Sequence, residues 1–106
     1  MDQKTQALFE ARARILKAMA HPTRLYLLDE LSRGERCVGD LQASVGADMS
    51  TVSKHLAILN EAGLVTRDKR GNQVFCTLTV PCVTNFFGCI ETVLQTAARQ
   101  TINLVG

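Results

Sequence analysis

The chain has 106 residues, a formal net charge of +2 and 46% hydrophobic residues. That length fits one small domain, and so low a charge excludes a polybasic surface that binds nucleic acid along the whole chain. Glu91, Gln95, Arg99 and Gln100 break the longest apolar stretch, which excludes a membrane span there, and the polar start Met1-Asp2-Gln3-Lys4 does not read as a signal peptide, so a cytoplasmic protein is expected.

Taken in chain order, Leu8, Ala11, Ile15, Leu16 and Met19 recur at helical spacing and predict a first helix over about 4–19. Ala20-His21-Pro22 breaks it. Pro22 suits the first turn of a second helix, where its missing N–H costs nothing. That helix carries Leu25, Leu28 and Leu31 and ends near Arg33-Gly34. A short third helix is expected from about Cys37 to Val45, with Val38, Leu41 and Val45 inward. Gly46-Ala47-Asp48 forms a turn, and Asp48 caps a fourth helix over about 49–62.

In the fourth helix Val52, Leu56 and Leu59 form an apolar face, while Ser50, Thr51, Ser53, Lys54 and His55 crowd the first two turns. Such side chains donate to phosphates and base edges, and the start of a recognition helix is where they are needed. Gly63 permits the left-handed turn that closes the helix. Two strands, about 64–66 and 74–78, then pair as a hairpin with a charged tip, Arg67-Asp68-Lys69-Arg70-Gly71-Asn72-Gln73. Residues 50–73 alone carry a net +2. Pro81 ends the second strand, and a last helix over about 82–103 bears Val83, Phe86, Phe87, Ile90, Val93, Leu94, Ala97 and Thr101 on its apolar positions.

Helix, helix, then basic hairpin predicts an α+β, mostly α, winged helix-turn-helix in a single domain over residues 1–106. Ser50, Thr51 and Ser53 are candidates for bases or phosphates, and Lys54 for phosphate. For His55, DNA contact and packing both stand. Arg67, Lys69 and Arg70 are candidates to track the backbone or the minor groove from the wing. One recognition helix covers few base pairs, so a homodimer on two half-sites of double-stranded operator DNA is expected.

Three blocks carry a family resemblance. They are Leu16-Lys17-Ala18-Met19-Ala20-His21-Pro22-Thr23-Arg24-Leu25, Gly34-Glu35-Arg36-Cys37-Val38-Gly39-Asp40-Leu41, and Ser50-Thr51-Val52-Ser53-Lys54-His55-Leu56 running on to Ala62-Gly63-Leu64-Val65. In this order, over about residues 15–78, they resemble the ArsR/SmtB family of metal-responsive repressors, most closely its arsenic-responsive type. The resemblance implies dimerisation through the first and last helices. It also implies release from DNA when a soft metal or metalloid, arsenite or antimonite, binds cysteine thiolates. No constitutive cofactor is expected.

The chain departs from the family pattern in two places. Asp48-Met49 stands where many members have Ser-Gln, and glutamine reads adenine where methionine cannot. Cys37-Val38-Gly39-Asp40-Leu41 stands where arsenic-responsive members have Cys-Val-Cys-Asp-Leu, so the second cysteine of that local pair is missing. Cys37 would need partners. Cys89 and Cys82 are the candidates that complete three thiolates, the set a trivalent metalloid takes. Seven residues apart in one helix, those two would lie about 10 Å apart along the axis, so Cys82 must precede the helix or come from a second subunit. Cys76 alternates with Val74 and Leu78 toward the core and ranks behind the others. The family's other metal site needs histidines on the last helix, and this helix has none.

The alternative keeps the DNA binding and changes the signal. Cys37 and Cys89, on different helices, could instead sense oxidation or persulfide, and Cys37 at a helix N-terminus beside Arg36 is placed to react. A third reading is a winged fold that binds protein rather than DNA. An enzyme is not expected: no nucleophile has a paired base, and there is no phosphate loop and no acid pair.

Overall fold

A computed structural model describes the backbone of residues 1–105 and the side chains of residues 1–100. Five helices and three short strands follow in the order α1 (Gln3–Met19), α2 (Pro22–Leu31), β1 (Arg36–Cys37), α3 (Val38–Val45), α4 (Met49–Glu61), β2 (Val65–Arg70), β3 (Gln73–Leu78) and α5 (Val83–Val105). The helix starts follow from local chemistry. The Asp2 carboxylate accepts the Thr5 N–H at 2.7 Å, His21 Nδ1 accepts the Thr23 N–H at 3.1 Å, and the Asp48 carboxylate accepts the Thr51 N–H at 2.9 Å.

Helix α4 ends in a turn built on Gly63, whose φ is +83°. The Gly63 N–H donates to the Asn60 carbonyl and the Leu64 N–H to the Leu59 carbonyl, both at 3.0 Å. That double closure satisfies the last helical carbonyls and sends the chain directly into β2. Leu59 and Leu64 are both buried there, which holds the reading helix against the wing.

The core is one cluster centred on Leu27, Leu28, Leu41, Val52, Leu56, Leu59, Val65 and Cys76. Truncating a fully buried leucine such as Leu56 to alanine costs about 2–5 kcal/mol. Of α1, only Ala18 and Met19 at its C-terminal end join this cluster, and most of the apolar faces of α1 and α5 stay outside it. Phe9 is 50% exposed and Val93 67%, and Leu8, Leu16, Phe86 and Leu94 are exposed beside them. Among the described residues of α5, only Val83 and Phe87 lean on the core. Thr101 lies outside the described side chains. No helix among the described residues is long and apolar enough to cross a membrane.

The hairpin is longer than the sequence pattern suggests. Its strands run through Arg70 and Gln73, so only Gly71-Asn72 turn, and the register pairs Val65 with Leu78 and Arg70 with Gln73. Gly71 at φ +61° allows that tight turn. The charged residues assigned to the tip are therefore strand residues pointing outward. Strand β1 was not expected at all: Arg36 and Cys37 pair antiparallel with Cys76 and Phe75, giving the sheet order β1-β3-β2. Two residues are too few for an alternating pattern to register.

Candidate nucleic-acid interface

Helices α3 and α4 form the helix-turn-helix, with Gly46 at φ +80° closing α3. The cap at Asp48 fixes where α4 begins, so Ser50, Thr51 and Lys54 project from its first turns and are exposed. Ser53 is half-buried and lines a cleft of about 350 Å³ between α3, α4 and the wing. Cys37, Val38, Met49, Arg67 and Asn72 line the same cleft.

The three wing cations do different things. Arg67 leans on the end of α4, its guanidinium donating to Asn60 Oδ1 at 3.4 Å, while Asn60 in turn donates to the Val65 carbonyl at 2.8 Å. Lys69 is exposed and makes no ion pair among the described residues. Arg70 is engaged within the wing. It makes two hydrogen bonds to the Glu35 carboxylate and one to Asp68, and it lies over the Phe75 ring at 4.6 Å. These bonds hold the Glu35 carboxyl below its ordinary range, Arg70 being the largest cause.

His55 has its ring 4.4 Å from the His21 ring and its Nδ1 buried with no hydrogen-bond partner among the described residues. The structure thus places it in packing between α4 and the turn before α2. Burial pushes its pKa below the ordinary histidine value, and the neighbouring charges of His21 and Arg24 add to that.

The four cysteines are all free thiols, and Cys37 and Cys76 are neighbours on the paired strands β1 and β3. Cys37 is half-buried at the N-cap of α3, where it makes no side-chain capping bond. Cys76 is fully buried opposite Arg67 in the sheet, and burial pushes its thiol up. Cys82 precedes α5, and both it and Cys89 are exposed. Among the described residues no group of three or more His, Cys, Asp or Glu side chains could hold a metal ion. The trio Cys37, Cys82 and Cys89 is therefore not assembled within one protomer. Arg36, expected beside Cys37, instead pairs with Glu30 and reaches Ser44 at 3.2 Å.

The sequence reading missed Glu35, Asn60 and Asn72 as parts of this face. Each is a common polar surface residue, and only the long-range pairing of the hairpin brings Glu35 to Arg70. Similarity to known families and proteins agrees with the geometry. Residues 21–67 match the profile of the bacterial regulatory protein, arsR family. The biofilm growth-associated repressor of Xylella fastidiosa is 33% identical over 88 residues, 83% of this chain and 77% of that protein. A homodimeric winged helix-turn-helix DNA-binding domain from Mycobacterium bovis, a possible ArsR-family regulator, superimposes with a TM-score of 0.78 at 28% identity, covering 94% of this chain and 93% of that one. Reduced HlyU from Vibrio cholerae superimposes with a TM-score of 0.74 at 32% identity, over 87% of this chain and 97% of that one. The chain therefore belongs to the ArsR family and is a DNA-binding transcriptional repressor on the winged helix-turn-helix scaffold.

Proposed function

We propose that the chain acts as a homodimer on double-stranded operator DNA and is released by chemistry at the Cys37 thiol. The observation that carries this is the shared cleft: Cys37 lines the same walls as Ser53 of the reading helix and Arg67 of the wing. Bulk or charge added to that sulfur changes the surface that meets DNA, without relay through the rest of the fold. Ser50, Thr51, Ser53 and Lys54 serve as groove and phosphate contacts, and Arg67 and Lys69 as wing contacts. The exposed apolar faces of α1 and α5 supply the dimer surface, and the similar Mycobacterium bovis domain is described as homodimeric. A coupling of about 1–3 kcal/mol between thiol state and DNA changes affinity roughly 5- to 150-fold.

The signal that fits a single thiol in that cleft is oxidation or persulfide transfer, and the relative described in a reduced form is consistent with that class. A second reading keeps arsenite or antimonite as inducer. Cys82 ahead of α5 and Cys89 on it are both exposed beside the proposed dimer face, so thiolates from two protomers could complete a soft site. The test is fluorescence anisotropy on DNA from upstream of the gene, titrated separately with polysulfide, peroxide and arsenite. Wild type is compared with Cys37→Ser, Cys82→Ser and Cys89→Ser. Release by polysulfide or peroxide that only Cys37→Ser abolishes supports the single-thiol switch. Release by arsenite that Cys82→Ser or Cys89→Ser also blunts supports the shared site instead.

A further inference from the structure

We propose that Met49 is the base-selective side chain of this reading head and that it takes the 5-methyl group of a thymine in the major groove. The inference rests on the DNA-reading role above. Met49 is the first residue of α4, and the Asp48–Thr51 cap fixes its position at the end of the helix that enters the groove. It is 46% exposed although apolar, and it takes no place in the core. The core side of α4 is already supplied by Val52, Leu56 and Leu59.

The neighbouring chemistry leaves selectivity to Met49. The hydroxyls of Ser50, Thr51 and Ser53 both donate and accept, so they tolerate any base edge, and Lys54 suits phosphate. Met49 can neither donate nor accept usefully. The base-pair feature it matches is the thymine methyl, the one apolar group on the major-groove edge. Its other flank forms a wall of the cleft with Cys37 and Arg67, which restricts its freedom and aims it. Ile58 is the other exposed apolar residue of α4, but it sits about 13 Å further along the helix, away from the end that reads.

The test uses the full chain and a duplex that it selects itself from a random library. Each thymine of that duplex is then replaced singly by deoxyuridine, which removes only the methyl. Wild type is expected to lose about fourfold in affinity at one thymine in each half-site, the worth of one buried methyl. Met49→Ala should bind more weakly and be indifferent to deoxyuridine at that place, while Met49→Gln should select adenine there. Thermal melting of each variant controls for folding. Wild type indifferent to deoxyuridine everywhere, or Met49→Ala with the full deoxyuridine penalty, would overturn the assignment while leaving salt-dependent DNA binding intact. Failure of the wild type to select or bind any duplex would overturn the DNA-reading role as well.

Discussion

Arg70 grips Glu35 through two parallel hydrogen bonds, 2.8 and 2.9 Å long, across 35 residues of sequence. The pair ties the tip of the wing to the entrance of α3, with Thr77 also donating to Glu35 at 3.2 Å. A guanidinium held in that fork is not available to a phosphate unless the carboxylate lets go.

Glu35→Gln should therefore release Arg70 toward DNA. The expected outcome is tighter binding at low salt and a salt dependence steeper by about one unit for each half-site. Arg70→Ala should leave the salt slope near that of wild type, whereas Lys69→Ala should flatten it. Titrations at several salt concentrations check all three. Equal slopes for wild type and Glu35→Gln would show that Arg70 stays a strut.

The His21–His55 contact predicts a pH effect on stability. Burial, then the charges of His21 and Arg24, depress the His55 pKa in the folded state below the ordinary histidine value. A base depressed on folding binds fewer protons folded than unfolded, so acid favours unfolding. The contribution is present above about pH 6.5 and is lost as pH falls through the lower folded value. Melting curves between about pH 8 and pH 5 should show a steeper fall for wild type than for His55→Gln. Parallel curves would contradict the assignment.

Much of the fold was legible because its signals are local. The leucines of α2, the Asp48 cap and Gly63 each act within one turn, so α2 and α4 fell where their residues put them. The wing and the thiols were harder. Strand β1 has two residues and exists only through its pairing with β3. The contact of His55 with His21, 34 positions away in the chain, leaves no local signal. The spacing of Cys37, Cys82 and Cys89 does not show that one protomer leaves them unassembled, and nothing local to Arg36 shows that it pairs with Glu30.

Gly39 sits where a second local cysteine would complete a metalloid pair with Cys37. A Cβ built there meets nothing within 4 Å, and replacing a helical glycine removes its entropic cost of roughly 0.5–1 kcal/mol. Gly39→Cys should thus fold at least as stably as wild type and gain arsenite binding, seen as thiolate absorbance and as DNA release at lower arsenite. No gain over wild type would show that the cleft geometry rejects such a site.

The exposed faces of α1 and α5 predict that charge there separates protomers without unfolding them. Phe9→Asp or Val93→Asp places a carboxylate on a side chain that is half or more exposed in the single chain. Sedimentation should report monomers with near-native melting, and DNA affinity should fall by orders of magnitude as one half-site is lost. A persistent dimer would place the interface elsewhere.

The most direct measurement of the account compares two adducts on Cys37. In a chain with Cys82→Ser and Cys89→Ser, with Cys76 protected by burial, Cys37 is labelled with iodoacetate or with iodoacetamide. The adducts are similar in size and differ by one negative charge. If Cys37 stands in the surface that meets DNA, both adducts lower affinity for the upstream DNA, and the charged one does so at least tenfold more. Complete labelling of Cys37, verified by mass, with DNA binding unchanged for both adducts would contradict a repressor switched at this thiol.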